Sequence, residues 1–379
     1  MFRKTIAALV TIAIILGGTS TAAVQAKPGK DLRVIPVIVN GYKIKFPDTE
    51  PYMNTDGRTM VPVRFVSEKL GAKVKWEDAT QTVIMKYGSK EIRMTIGSKR
   101  VGINGEITEL DTVAEMYEGR AMVPLRFVSE VLDSKVTWDE GAHAVRVTDA
   151  KYQAKIDSGQ VDLDPWGRQY SKNYDGGWMK LSDLENTKFY KKNPVSGDNI
   201  GYVTKTVTWD LKKYGDQWAE HIRQYYALQL NVDYRTINES KFVESMLPHL
   251  AVYSVANIET SRKVLKKYVA WVKENKVITR GYADPEVSQV QDYRDGRISI
   301  PVHFKFMIIS AKDTSQTFLD NWDVTTSSDS FQLKKNVWYD GYSGVIMDTN
   351  HANLKYRSYV IASMENMFMK GHYFYDVIK

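Results

Sequence analysis

The chain has 379 residues, of which 43% are hydrophobic and 26% are charged. This composition excludes a disordered, collagen-like or coiled-coil protein, because there is enough apolar side chain to offset the entropy that a chain loses on ordering. The formal net charge of +7 is mild and the bases form no clustered stripe, so no nucleic-acid partner is expected, and the lack of Cys excludes disulfides, thiolate metal sites and a Cys nucleophile.

Residues 1–26 have the pattern of a signal peptide. Arg3 and Lys4 give a basic start, residues 6–16 form an apolar run, and Val24-Gln25-Ala26 is a small-residue cleavage site. The apolar run is shorter than the ~20 residues that a membrane helix needs. We therefore expect cleavage after Ala26, a secreted or cell-surface-associated protein, and no stable membrane span after cleavage.

An internal repeat follows the leader. Residues 57–70 recur 62 positions later as residues 119–132, and both copies contain Val-Pro-[Val/Leu]-Arg-Phe-Val-Ser-Glu. Each copy continues into Val-x-Trp, which ends at Trp76 in the first copy and at Trp138 in the second. Agreement over this length indicates that one unit has been duplicated.

Each copy begins with a predicted β-hairpin turn. Asn-Gly pairs start at Asn40 and Asn104, and this pair is typical of two-residue hairpin turns. The copies therefore cover about residues 37–86 and 101–148, and together they form one predicted module over residues 33–149.

Each copy is predicted to be a small β-sheet packed on a short helix. Pro62 and Pro124 suit the first helical position, where a missing N–H needs no partner. Gly71 suits the end of the first helix, whereas the second copy has Asp133 there. The inward positions expected from the spacing are Phe65 and Phe127 in the helices and, in the strands, Tyr42, Ile44, Phe46, Val83, Met85, Ile92, Met94, Ile96, Val145 and Val147.

These motifs resemble the copper amine oxidase N-terminal-like domain, also called the stalk domain. The resemblance covers about residues 37–148 and rests on the Asn-Gly turns, the doubled Val-Pro motif and the doubled Val-x-Trp. Such domains are common in secreted and surface proteins of Gram-positive, spore-forming bacteria. The resemblance implies a module that lies apart from the copper site in the oxidases and is joined elsewhere to unrelated partners.

Copper chemistry is not expected in this chain. Asn173-Tyr174-Asp175 matches the core of the motif that gives the oxidase quinone, but Tyr170 stands where that motif begins with Thr, and a turn leading into Gly176-Gly177 is the better interpretation. Two of the family's copper ligands form His-x-His, and no such pair occurs among His143, His221, His249, His303, His351 and His372. The sequence therefore predicts no metal, no cofactor and no amine oxidase activity.

Two features of the repeat have a structural and a binding interpretation. Arg64 and Glu68 are four residues apart, as are Arg126 and Glu130, which favours an intrahelical ion pair over a ligand-binding pair. The Trp of each Val-x-Trp is expected in the core, and a platform for sugar stacking is the alternative.

The sequence after residue 149 predicts a connecting region over residues 150–200 and an α+β domain of unknown function over residues 201–379. The chain as a whole is therefore assigned to the α+β class, with a duplicated sheet-on-helix module before a separate domain. Three helices are predicted from apolar residues at helical spacing: Trp218, Ile222, Tyr225 and Tyr226 in the first, Phe242, Val243, Met246, Leu247 and Leu250 in the second, and Val264, Leu265, Tyr268 and Val272 in the third. A last helix is predicted over residues 352–368, with Val360, Ile361, Met364 and Met367 facing inward.

Strands are predicted around two Asp-Gly turns, at Asp295 and Asp340. In the strand after Asp295, residues 298–308 alternate between apolar and polar, which places His303 and Lys305 on a polar face. His303 is expected to be exposed or hydrogen-bonded rather than a metal ligand.

Sequence motifs for catalysis are near misses. The run from Gly341 to Val345 lacks the last Gly of a nucleophile elbow, and Asp162 with Asp164 lacks the further acids of a Ca²⁺ loop. The basic helix face of Arg262, Lys263, Lys266, Lys267 and Lys273 is expected to be solvated, or to meet anionic wall polymers. No catalytic, cofactor-binding or metal-binding residue is assigned.

Two functional classes remain. The first is a secreted, envelope-associated, non-enzymatic protein, in which the stalk-like module presents a C-terminal domain that binds cell-wall polymer or another envelope protein. The second is a secreted hydrolase of wall polymers or peptides whose catalytic residues are dispersed along the chain. Any specific function is expected beyond residue 150, and carboxylates or His converging in a C-terminal cleft would favour the enzyme.

Overall fold

The structure is a computed structural model of the chain. It describes residues 34–170, 178–181, 202–204, 211–251, 255–292, 296–314, 333–349, 359–364 and 376–378. None of the helices in these ranges is long and apolar enough to cross a membrane.

The N-terminal module contains short strands and two seven-residue helices. In chain order they are β1 Val37–Val39, β2 Tyr42–Lys43, β3 Tyr52–Met53, β4 Thr59–Pro62, α1 Val63–Lys69, β5 Lys73–Glu77, β6 Thr82–Tyr87, β7 Lys90–Thr95, β8 Arg100–Ile103, β9 Glu106–Glu109, β10 Glu115–Tyr117, β11 Arg120–Pro124, α2 Leu125–Val131, β12 Ser134–Asp139 and β13 Ala144–Asp149.

The two copies of the repeat are related by a local two-fold axis. Strands β4 and β11 pair antiparallel, and Val61 lies opposite Val123, its equivalent in the other copy. Met60 lies opposite Pro124 and Pro62 opposite Met122, so the register is symmetric about that central pair. The duplication predicted from the sequence is therefore present in the fold.

Each copy places its N-terminal hairpin in the sheet of the other copy. The β1–β2 hairpin of the first copy pairs through β1 with β13, in the sheet order β12-β13-β1-β2. The β8–β9 hairpin of the second copy joins the sheet β5-β6-β7-β8-β9. The third sheet, β10-β11-β4-β3, also takes strands from both copies. Neither half is complete alone, which favours folding of the module as one unit.

The turns and helix ends agree with most of the local predictions. Asn40 and Asn104 have φ of 48° and 51°, as the first residue of a primed hairpin turn requires. Gly71 ends α1 with φ of 90°, and Asp133 takes φ of 56° after α2. The prolines lie one position earlier than predicted, because Pro62 and Pro124 are the N-cap residues of the helices.

The aromatic side chains of the repeat are less buried than predicted. Phe65 and Phe127 are half-buried and pack against the module's apolar core. Trp76 is half-buried, but Trp138 is 40% exposed, so the prediction that it lies in the core is wrong. Both Trp belong to edge strands, β5 and β12, which have a neighbour on one side only.

The region after the module begins with helix α3, Ala150–Asp157, which the sequence pattern did not predict. Only Tyr152 of this helix is buried, so it has no apolar period to reveal it. Its N-cap is Asp149, whose side chain accepts the N–H of Tyr152. The Tyr152 ring covers the first hairpin turn, where a side chain at Gly41 would collide with its hydroxyl.

The C-terminal domain packs the helix of residues 211–229 on an antiparallel sheet, whose strands are, in order, β16 Ile278–Pro285, β18 Arg297–Ser310, β19 Trp338–Thr349 and β20 Tyr359–Met364. Two further helices pack beside that helix. Its core includes Tyr226 and Phe304, whose rings lie 4.6 Å apart. The elements after α3 are β14 Trp178–Lys180, β15 Tyr202–Thr204, α4 Leu211–Gln229, α5 Glu239–Met246, α6 Val255–Glu274, β16 Ile278–Pro285, β17 Gln291–Asp292, β18 Arg297–Ser310, β19 Trp338–Thr349, β20 Tyr359–Met364 and β21 Asp376–Ile378.

Two predictions for this domain are wrong. Asp340 and Gly341 lie inside β19, opposite Lys305 and Phe304 of β18, and do not form a hairpin turn. Residues 359–364 form strand β20 where a helix was predicted. In β20 Val360 is paired with Asp348 and is buried, because the neighbouring strand β19 provides a ladder that local spacing does not reveal.

Candidate interaction surface

A buried group of charges joins the module to the C-terminal domain. Lys43 Nζ from β2 lies 2.6 Å from Asp284 Oδ2 at the end of β16 and 2.8 Å from Glu286 Oε1. Arg168, which precedes the domain in the chain, donates from Nη1 to the other oxygen of Glu286, Oε2, at 2.6 Å. The side chains of Asp284, Glu286 and Arg168 are no more than 6% exposed.

The same interface buries the predicted polar face of β18. Lys305 is fully buried, and its Nζ donates to Glu50 Oε1 and to the Phe46 carbonyl, both at 2.5 Å. His303 Nε2 lies 2.5 Å from Asp340 Oδ1. The sequence led us to expect that His303 is either exposed or hydrogen-bonded. It is hydrogen-bonded, and it is buried because the module covers this face.

The charges in this interface stabilise each other. Burial alone would raise the pKa of Glu286, but Lys43 and Arg168 lower it below its usual value. Burial would also raise the pKa of Asp340, and His303 with Lys45 lowers it to about 2. Burial would lower the pKa of Lys43, and Asp284 with Glu286 raises it. The carboxylates are thus held ionised by the cations around them.

Carboxylates and a His do converge on the C-terminal domain, but they are covered. Asp284, Glu286, His303 and Asp340 lie within one face of the sheet, each 8% exposed or less. Lys43 of the module contacts two of the carboxylates. In this arrangement the group holds two parts of the chain together, and the residues that the structure describes leave no open cleft over it.

The module's open face carries a groove that we call the Trp76 groove. Its main lining residues are Arg64, Phe65, Trp76, Met116, Gly119 and Arg120, and its volume is about 220 Å³. Pocket volumes for small-molecule ligands start near ~300 Å³, so this groove has room for one or two side chains. The groove lies between the edge strands β5 and β10, with α1 beside them.

The C-terminal domain contacts the second copy directly after Trp138, where Lys212 Nζ lies 2.9 Å from Asp139 Oδ1. Beside this contact the local two-fold axis places an equivalent set of side chains, which we call the Trp138 groove. Its residues are Arg126, Phe127, Trp138, Met53, Gly57 and Arg58, which correspond in order to those of the Trp76 groove. Met53 lies opposite Thr59 just as Met116 lies opposite Ala121. Both methionines are exposed, at 48% and 43%.

Each groove is assembled from both copies of the repeat, and matching contacts fix both. Arg120 donates from Nε to Asp48 at 2.9 Å, and Arg58 lies 2.5 Å from Asp111. Each of these ion pairs joins one copy to the other.

The indole N–H is held in the same way in both grooves. Trp76 Nε1 donates to Asp78 at 3.1 Å and Trp138 Nε1 to Glu140 at 2.5 Å. In both cases the acceptor carboxylate lies two residues after the Trp, so the hydrogen bond orients the indole.

The chemistry of these grooves fits an extended, acidic protein segment. Arg64, Lys75 and Arg120 line the Trp76 groove and no acidic residue does. Arg120 is paired with Asp48 and Arg64 lies 3.8 Å from Glu68, so Lys75 is the lining base for which the described residues give no ion pair. Edge strands leave backbone N–H and C=O groups without a ladder partner, and an added strand pairs with such groups. Exposed Trp, Met and Arg are the residue types that concentrate at protein interfaces.

The module has a recognised relationship. Residues 38–147 match the family described as Copper amine oxidase N-terminal domain. This confirms the resemblance inferred from the repeat, and both grooves lie inside the matched residues. A curated relative from Brevibacillus choshinensis, named "Protease inhibitor", is 27% identical over 160 residues, which cover 42% of this chain and 45% of that protein. The match thus spans less than half the length of that relative.

Other predicted features of the copper amine oxidase N-terminal-like module and of the C-terminal domain have structural roles. Arg64 Nε lies 3.8 Å from Glu68 in α1, whereas the described residues of α2 give no such pair between Arg126 and Glu130. Asp164 accepts the N–H of Arg168 and so closes a turn. Groups of three or more metal-binding side chains are absent from the described ranges. Asn173-Tyr174-Asp175 lies outside them.

The basic helix face belongs to α6 and is partly neutralised. Arg262 pairs with Glu244 and lies 3.6 Å from Glu259, and Lys266 lies 3.9 Å from Glu239. A solvated face remains the better interpretation for these bases.

Sequence patterns gave no indication of a His pair in the C-terminal domain. His221 of α4 and His249, which follows α5, have their Nδ1 atoms 3.3 Å apart. Burial, and then the neighbouring His221, lowers the pKa of His249 to about 4. Burial also lowers the pKa of His221. At neutral pH both imidazoles are therefore neutral and one donates to the other.

Proposed function

We propose that this chain is a secreted, envelope-associated, non-enzymatic protein that binds an extended acidic segment of another protein in the grooves of its N-terminal module. The observation that carries this proposal is the Trp76 groove, with its half-buried Trp, exposed Met, basic lining and adjoining strand edges. The signal-peptide pattern of residues 1–26 supports export, and the family match supports a module without its own chemistry.

The proposed role of the C-terminal domain is to hold the module in a fixed orientation. The sequence favoured a module that presents a binding domain beyond residue 150, and the buried charges support a firm attachment between the two parts. Because the module carries the open Trp76 groove, we assign the first contact with the partner to it.

The partner that we propose first is a secreted protease. The relative from Brevibacillus choshinensis is named "Protease inhibitor", and a protease surface can offer an extended acidic loop to a groove of this size. An envelope protein without protease activity, or an anionic wall polymer, would meet the same basic lining. These partners are distinguished by whether binding needs the aromatic side chains Phe65 and Trp76 of the groove or only its positive charge.

Fluorescence anisotropy tests the proposal with a labelled alternating Glu-Tyr peptide of about 12 residues, a length that spans ~40 Å when extended. The mature chain should bind this peptide and not the corresponding Lys-Tyr peptide. Trp76→Ala together with Trp138→Ala should weaken binding at least about tenfold, as loss of an interface Trp commonly does. Ile107→Ala, an exposed apolar residue outside the grooves, should bind as the unchanged chain does.

Two results would count against the proposal. Binding that persists in the double Trp variant would place the contact elsewhere. Equal displacement of the peptide by a wall teichoic acid in all variants would mean that positive charge alone attracts the ligand, and would favour wall association. Inhibition assays against a bacterial subtilisin then test the protease partner, and inhibition should disappear in the same double variant.

The hydrolase hypothesis has one supporting observation, the convergence of Asp284, Glu286, His303 and Asp340. Since the module covers these residues, activity would require the two parts to separate. Hydrolysis of casein or of labelled peptidoglycan by the Lys43→Met variant, and not by the unchanged chain, would support that hypothesis.

A further inference from the structure

We propose that the cavity between the module and helix α4 binds a glycan chain without acidic sugars, and that one sugar ring of this chain lies against Trp138. The cavity adjoins the turn of residues 140–143, which joins β12 to β13, and its volume is about 520 Å³. Pockets for small-molecule ligands span ~300–1,000 Å³. The site is separate from the Trp76 groove, so the inference adds a second ligand to the proposed function and does not rest on it.

Contacts between the module and α4 fix the two walls of this cavity. Lys212 Nζ lies 2.9 Å from Asp139 Oδ1 of the module and 2.5 Å from Asp216 Oδ2 of its own helix. Arg223, about three turns further along α4, donates to the Ala142 carbonyl at 3.3 Å. The walls are therefore in place before a ligand arrives, which lowers the entropy cost of binding.

The lining of the cavity suits a ligand with many hydroxyl groups. It consists of the carboxylates of Glu140, Asp216 and Glu220, the imidazoles of His143 and His221, the amides of two Gln of α4, and one Gly. Carboxylates accept hydrogen bonds, whereas amides and neutral imidazoles both donate and accept them. A sugar hydroxyl also donates and accepts, so each of these groups can be matched by the same ligand.

The charge of the cavity selects among glycans. Asp216 is paired with Lys212, but in the part of the chain that the structure describes no cation pairs with Glu140 or Glu220. These two carboxylates would repel an acidic polymer, because like charges brought together across an interface cost binding free energy. A glycan without acidic sugars meets no such repulsion and can donate its hydroxyls to both carboxylates.

Trp138 provides an aromatic surface next to these polar groups. It does not line the cavity, but it contacts two residues that do: its Nε1 donates to Glu140 at 2.5 Å, and its ring centroid lies 6.3 Å from that of His143. The side chain is 40% exposed. An exposed indole presents an apolar face with a polar edge, and the C–H groups of a sugar ring pack on such a face. The sugar-stacking interpretation of Val-x-Trp is therefore the one favoured for the second copy.

Isothermal titration of the mature chain with the tetrasaccharide of N-acetylglucosamine tests the proposal. The matched control is a hyaluronan tetrasaccharide, in which the same sugar alternates with an acidic one. It should bind at least about tenfold more weakly, because Glu140 and Glu220 repel its carboxylates. The monosaccharide should also bind more weakly, since one ring does not reach both Trp138 and the cavity.

Substitutions in the chain provide the second readout. Trp138→Ala should weaken binding of the N-acetylglucosamine tetrasaccharide at least about tenfold, as loss of a Trp at an interface commonly does. Trp76→Ala, the equivalent position of the other copy, is the matched control and should bind as the unchanged chain does. Glu140→Gln combined with Glu220→Gln should improve binding of the hyaluronan tetrasaccharide, and a misfolded variant does not give such a gain.

The results that would overturn the proposal are specific. They are no binding of the N-acetylglucosamine tetrasaccharide, equal binding of the two tetrasaccharides, or binding that Trp138→Ala leaves unchanged. Displacement of the tetrasaccharide by the Lys-Tyr peptide would also overturn it, because the cavity would then be a site for cations. Binding of the Glu-Tyr peptide is measured separately, so failure of the glycan site leaves the proposed function intact, and the reverse also holds.

Discussion

Replacement of Lys43 by Met should separate the energetic role of the buried charges from that of the rest of the interface. The side chain of Lys43 is 15% exposed, and Asp284 and Glu286 are 5% and 6% exposed. The variant removes the cation while Arg168 stays bonded to Glu286, so Asp284 is the carboxylate left without its partner.

Removing one partner of a buried ion pair costs about 3–5 kcal/mol, and the remaining Arg168 places the expected loss near the lower end, about 3 kcal/mol. Urea unfolding of residues 27–379, followed by Trp fluorescence, measures this free energy. Lys86→Met is the matched control, because Lys86 and Glu91 form an exposed pair with 65% and 41% exposure, and such pairs contribute about 0–1 kcal/mol.

A second substitution makes the test specific for charge. Lys43→Met combined with Asp284→Asn should recover part of the loss, because the uncompensated carboxylate is then neutral. Equal effects of Lys43→Met and Lys86→Met, or no recovery in the double variant, would refute the role given to this network.

Three further predictions concern acid pH, a His pair and export. The folded-state pKa of Asp340 lies at about 2, below its usual value of 3.8, so its contribution to stability is present above pH ~4 and lost as pH falls toward 2. In the Asp340→Asn variant the free energy of unfolding, measured with urea, should therefore change less between pH 4 and pH 2. The pKa of His249 lies at about 4 instead of 6.5, so the stability that its neutral form contributes should be fully present above pH ~6.5 and be lost as pH falls from 6.5 to 4. His249→Gln should reduce this pH dependence of the free energy of unfolding, and His143→Gln should not. N-terminal sequencing of extracellular material should give Lys27 as the first residue, and an intact Met1 would contradict export.

Features encoded by neighbouring residues could be predicted from the sequence. The Asn40-Gly41 and Asn104-Gly105 turns, the helices after Pro62 and Pro124, and α4 each depend on short-range spacing. The local two-fold axis was implicit in the repeat, although a repeat alone does not say that Val61 faces Val123.

Features that depend on distant residues could not be predicted. Lys43 and Glu286 are 243 positions apart, and no local pattern pairs them. Asp340-Gly341 has the signal of a turn, but partners in β18 hold it in a strand. The exposure of Trp138 follows from the position of β12 at a sheet edge, which the Val-x-Trp pattern does not contain.

Hydrogen–deuterium exchange of the mature chain, with and without the Glu-Tyr peptide, is the most direct test of the claim that the grooves bind the partner. The peptide should protect backbone amides in the edge strands β5 and β10 and in their equivalents β12 and β3, and Trp76→Ala should remove the protection of the first pair. Protection confined to residues beyond 150, where the sequence alone placed the specific function, would contradict this account.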